Sequence, residues 1–89
     1  MYRMIKYEGK NGKNKLENIA AIHSLEGDFY WTPEVGGAIG YAYNDTSGKL
    51  LHSSTIEEIV EDNNQIRIVT RNSIFIFEKA EDCNEQNWI

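Results

Sequence analysis

A single cysteine, Cys83, excludes an internal disulfide and any thiolate metal cluster built within one chain. Histidine is nearly as scarce. His23 and His52 have no carboxylate or cysteine at familiar metal-ligand spacing, so no metal site is expected. His52 does not form a catalytic pair with Ser53 or Ser54 either, because adjacent strand residues point to opposite faces and no orienting acid is in view. No segment approaches the ~20 consecutive apolar residues that cross a bilayer as a helix. The amino terminus, MYRMIKYEGKNGKNK, lacks an uninterrupted apolar core and a small-residue cleavage site, so export is not expected and the cytoplasm is the expected location. Asn44-Asp45-Thr46 spells a glycosylation acceptor, but without export it reads as part of a turn. An excess of positive charge is also missing. The net charge is -5, which argues against broad nucleic-acid binding, since that needs cations to replace condensed counterions.

The charge that is present is unevenly placed. Residues 1–15 carry five basic residues against Glu8 alone, and the acidic excess lies in the remainder. A small anion at one basic loop is therefore compatible with the composition. Lys10, Lys13 and Lys15 lead into an expected helix start, without the glycine-lysine-serine spacing of a phosphate loop. Eighty-nine residues, 40% of them hydrophobic, make one domain (1–89) with a single core and little stability to spare. Residues 80–89 read as an acidic tail ending in Trp88-Ile89, two apolar residues that docking would tie down.

The most informative stretch is QIRIVTRNSIFIFEK, Gln65 to Lys79, two β-favouring arms around an Arg71-Asn72-Ser73 break. Ile66 and Ile68 share one face of the first arm, with Arg67 and Arg71 on the other. The second arm, Ile74 to Phe77, is apolar on both faces, as in a central strand or one that meets a partner. Upstream, Tyr2 to Glu8 alternates as a strand and Gly9 to Asn14 is a loop. Helical spacing then predicts one helix, about Lys15 to Glu26, capped by Asn14 with Glu17 reaching back and stopped by Gly27. Asp28 to Thr32 reads as a short aromatic strand ended by Pro33, and Ala38 to Tyr43 with Lys49 to Ser53 as a second hairpin. Thr55 to Asp62 fits either a capped helical turn or a strand, and a strand bulged near Glu57-Glu58 is preferred. The expected fold is α+β, a small twisted antiparallel sheet or partly closed barrel of six to seven strands with one helix.

Two groups of residues are candidates for binding. Tyr30, Trp31, Tyr41 and Tyr43 with Gly36 and Gly37 would stack on a flat ligand, with Arg67 and Arg71 supplying charge for its anionic groups. Glu57, Glu58, Glu61 and Asp62 form an acidic cluster suited to a basic protein partner. The segment SSTIEEI followed by IVTRNSIFIFE resembles small phage and mobile-element proteins with a T-x-N-S-aromatic hairpin, here Thr70, Asn72, Ser73 and Phe75. That resemblance implies an anti-defence protein that sequesters a cyclic nucleotide signal in an oligomer or occludes an effector. The expected function is thus non-enzymatic capture of a small anionic, nucleotide-like ligand by a homo-oligomer. The alternative is an inhibitor or accessory module that turns its acidic surface on a basic partner. No cofactor motif is present.

Overall fold

The computed structural model describes residues 1–12 and 14–80. Lys13 and the acidic tail with Cys83 and Trp88-Ile89 lie outside the described residues. Six strands and one short helix follow in the order β1 (Tyr2–Gly9), α1 (Leu16–Ala20), β2 (Glu26–Phe29), β3 (Ala38–Tyr43), β4 (Leu50–Glu61), β5 (Gln65–Thr70) and β6 (Ser73–Lys79). Each strand pairs antiparallel with its sequence neighbour, and β6 returns to β1, so the sheet closes on itself. The molecule is mostly β.

Period-two alternation decides which side chains face inward. Met4, Ile39, Tyr41, Ile56, Ile66, Ile68, Phe75 and Phe77 fill the interior, each worth about 1.5–3 kcal/mol when fully buried. The hairpin reading of 65–79 holds: β5 and β6 pair from Gln65 opposite Glu78 to Val69 opposite Ile74. Phe75 and Phe77 point in, while Ile74 and Ile76 are half-buried outside. The motif residues Thr70 and Ser73 close the turn: the Ser73 N–H donates to Thr70 Oγ1 at 3.0 Å, and that hydroxyl donates to the Ser73 carbonyl at 3.2 Å. Thr55 to Glu61 is strand, with the register shift between Ile56 and Glu58 where the bulge was expected.

The helix is shorter than its periodicity predicts. It spans Leu16–Ala20, with Lys15 at the N-cap and the Asn18 side chain accepting the Lys15 N–H at 2.8 Å, the role expected of Asn14 and Glu17. Ile19 is buried and joins the core cluster from the helix. Ile22, placed by spacing on the buried face, is 73% exposed. The chain leaves the helix because β2 begins at Glu26, four residues on from Ile22. Gly27 is a strand residue, not a helix stop: a Cβ there would stand 2.1 Å from the Ala42 carbonyl oxygen, so only glycine admits the β2–β3 approach. Tyr30 to Thr32 lies beyond β2 in the β2–β3 connection.

Candidate functional site

At the end of the ring opposite α1, the connection after β2 stands away from the lower half of β4 and leaves a cleft of about 440 Å³. One wall is the continuous segment Asp28–Pro33, the other is Ile59 and Glu61 of β4, and Tyr2 and Ile66 complete the lining. Phe29 ties this wall to the core, its ring meeting Tyr2 and Phe77 edge-on at 4.8 Å each and Tyr41 at 5.4 Å. The wall is thus built on packed aromatics, while its tip is exposed.

Trp31 is held at two points. Its indole N–H donates to the Ala38 carbonyl at 2.8 Å, and its six-membered ring lies over Gly40, where a Cβ would come within 2.6 Å of two ring carbons. His52, opposite Gly40 on β4, meets the indole edge-on at 5.8 Å. Tyr30 stands edge-on to Trp31 at 6.0 Å and is 68% exposed. The side chain at position 30 is therefore presented to solvent beside an indole fixed in orientation.

The lining carries two carboxylates, Asp28 and Glu61, and no basic side chain. Asp28 Oδ1 receives the Met1 amino group at 3.2 Å, so this carboxylate already holds an ammonium at hydrogen-bond distance. Beneath the wall, the Tyr41 hydroxyl reaches the carbonyl oxygens of Tyr2 at 2.9 Å and Leu25 at 3.1 Å. Burial, followed by the charges of Asp28 and Glu26, pushes its pKa up, so it stays a donor.

The two predicted groups are divided and recombined. Tyr30 and Trp31 of the aromatic group meet Glu61 of the acidic group in one cleft. Tyr41 is fully buried in the core. Tyr43 lies at the other end, stacked on His23 at 4.1 Å. Gly36 and Gly37 fasten the connection to β4 instead: the Gly36 N–H donates to the Ile56 carbonyl at 2.9 Å, and the Ile56 N–H to the Gly37 carbonyl at 2.8 Å. Gly36 has φ of +93°, the left-handed conformation that favours glycine. Arg67 is on the outer face of β5 between Val60 and Ile76, and Arg71 is in the β5–β6 turn at the far end. Glu57 pairs with Lys10 at 3.5 Å, Glu58 faces outward opposite Val69, and Asp62 caps the β4–β5 turn by accepting the Asn63 N–H at 2.7 Å. Among the described residues no group of three or more His, Cys, Asp or Glu side chains is placed to hold a metal.

No family model, curated protein or solved structure matches this chain. The site therefore rests on geometry alone. Sequence reasoning missed Tyr2, Asp28, Phe29, Ile59 and Ile66, whose approach depends on how the ring closes. It also missed Gly40, for which a signal existed: a glycine inside the strand run Ala38 to Tyr43 marks a place where something packs close.

Proposed function

We propose that this chain is a non-enzymatic binding module whose cleft takes the side chain of a Lys or Arg from a basic protein partner. The observation that carries this reading is the pairing of Tyr30 and Trp31 with the carboxylate of Glu61, with no basic side chain in the lining and with Asp28 already engaged by the Met1 amino group. Aromatic faces attract an ammonium or guanidinium by about 0.5–2 kcal/mol, and the aliphatic stem of either side chain packs on the same rings. The exposed Glu61 carboxylate adds about 0.2–1 kcal/mol. A lone side chain is then held by at most about 3 kcal/mol, a Kd of several millimolar or weaker, so a partner needs further contacts. A nucleotide-like anion, by contrast, draws on Arg67 and Arg71, which stand away from this cleft. An anti-defence protein of the kind implied by the hairpin resemblance would, on this reading, occlude a basic surface of an effector.

The test is a pair of NMR titrations of the full chain, one with the acetylated methylamide of arginine and one with adenosine monophosphate. The arginine derivative is expected to shift the Trp31 indole N–H and the Glu61 amide, with affinity falling by up to about five-fold in Glu61→Gln. Shifts with the nucleotide alone, or with neither, would overturn the reading.

A further inference from the structure

The edge of β4 that faces the cleft has backbone groups without a rung. Antiparallel pairs alternate between residues that exchange both hydrogen bonds and residues that point theirs away. The Asp62 N–H donates to the Gln65 carbonyl at 2.8 Å, closing the β4–β5 hairpin. Counting back from that bonded pair, Val60 opposite Arg67 is bonded, whereas Glu61 opposite Ile66 and Ile59 opposite Ile68 direct their N–H and C=O away from β5. The upper half of the strand obeys the same alternation. The Arg71 N–H donates to the Thr55 carbonyl at 2.8 Å, which puts Ile56 in the outward-pointing set, and both Ile56 groups are taken by Gly36 and Gly37 on that side. The bulge at Glu57-Glu58 then shifts the alternation by one, so that Ile59 and Glu61 continue the row.

Beyond Gly36 the connection turns away, and among the described residues no backbone group meets Ile59 or Glu61 from the cleft side. The sheet is closed above this level and open here, beside the aromatic wall. We infer that the open edge takes an extended basic segment of a partner protein as an added antiparallel strand, with Lys or Arg opposite Glu61 and an apolar residue opposite Ile59. The inference rests on the basic-side-chain reading of the cleft and adds the missing contacts.

The side-chain order follows from the pleat. Ile59 and Glu61 both line the cleft while Val60 points outward, so residues set opposite the former pair send their side chains into the cleft too. An antiparallel partner therefore reads basic, any residue, apolar from its amino end. Charge selects against a second copy of this chain as occupant. Glu57, Glu58, Glu61 and Asp62 run along the same stretch, and edge-to-edge pairing of two copies would set these acids against one another. A basic segment meets them with opposite sign.

The experiment uses the full chain and the peptide acetyl-Thr-Arg-Thr-Ile-Thr-amide. The peptide is expected to bind at least about ten-fold tighter than the acetylated methylamide of arginine, from two added rungs. N-methylation of the Arg and Ile nitrogens, which face the edge, is expected to remove that gain. N-methylation of the Thr between them, whose nitrogen points away, is expected to leave it. The Ile59 and Glu61 amides should exchange quickly in the free protein and slow on binding. If the peptide and its Arg,Ile-methylated form bind alike, strand addition is overturned while the side-chain site survives; if neither peptide nor arginine derivative binds, both fail. Protection of those two amides in the free chain, or a doubled mass in sedimentation, would show the edge already occupied and overturn the inference as well.

Discussion

Gly40 decides the orientation of Trp31 and so the shape of one cleft wall. Substitution by Ala places a methyl group within 2.6 Å of the indole, and an exposed ring anchored by one hydrogen bond swings outward sooner than the strand moves. The lost indole bond costs about 0.5–1.5 kcal/mol, and removing a strand glycine returns about 0.4–1 kcal/mol through the unfolded chain. Gly40→Ala is therefore expected to stay within about 1 kcal/mol of the parent in urea denaturation while its affinity for the arginine derivative falls about three- to ten-fold by NMR titration. Unchanged affinity with a displaced Trp31 resonance would mean that the indole is not part of the binding wall. At this scale the sequence identifies aromatics but not their direction. Tyr41 shares the parity of Ile39 and goes inside, whereas Tyr30 and Trp31 come after the strand has ended and escape alternation altogether.

Elements bounded by strong turn chemistry were the legible ones. Arg71-Asn72-Ser73 and the Asn44 to Gly48 run mark both hairpins, and the expected bulge in β4 is present. The helix was over-read because Ile22 and His23 continue the apolar spacing, although Ile22 is exposed and the partners of His23 are tertiary. His23 stacks on Tyr43, and Asp45 Oδ2 lies 3.1 Å from its Nδ1 and accepts the Ser24 N–H at 3.1 Å. Asp45 thereby ties the β3–β4 turn to the segment between α1 and β2. The Ser47 hydroxyl, its N–H, and then the Ser24 and His23 groups hold the Asp45 carboxyl well below the usual carboxylate range. The folded pKa is depressed, so its stabilisation is full above the unfolded value near 4 and is lost as pH falls toward the lowered folded one. Asp45→Asn is expected to lower stability at pH 7 and to flatten the decline below about pH 4. Urea denaturation at several pH values checks this; parallel profiles for the two proteins would exclude the tether as an acid-sensitive element.

For the molecule as a whole, the ring is closed by its most distant strands and is thinnest between two neighbours. β1 runs beside β6 from Tyr2 opposite Lys79 to Gly9 opposite Ser73, yet meets β2 only at Tyr2–Gly27 and Arg3–Glu26. Local signals leave open whether such a chain makes an open sheet or a ring, because the deciding pairing joins the two ends of the sequence. The thin seam is reinforced from inside by the Tyr41 hydroxyl, which bridges the Tyr2 and Leu25 carbonyls, and by the Met4 N–H bonding the Leu25 carbonyl at 2.8 Å. Tyr41→Phe keeps the buried ring and removes only the bridge, so it is expected to cost about 1 kcal/mol in urea denaturation. The loss should be local. Amides of Gly27 to Phe29 are expected to exchange faster by native-state hydrogen exchange, while those of the β5–β6 hairpin change no more than global stability requires. Because Asp28 and Phe29 carry the aromatic wall of the cleft, opening this seam moves the wall, and binding of the arginine derivative should weaken with it. Uniform acceleration across all six strands would instead mean that the ring opens only as a unit, and that the cleft wall has no motion separate from global unfolding.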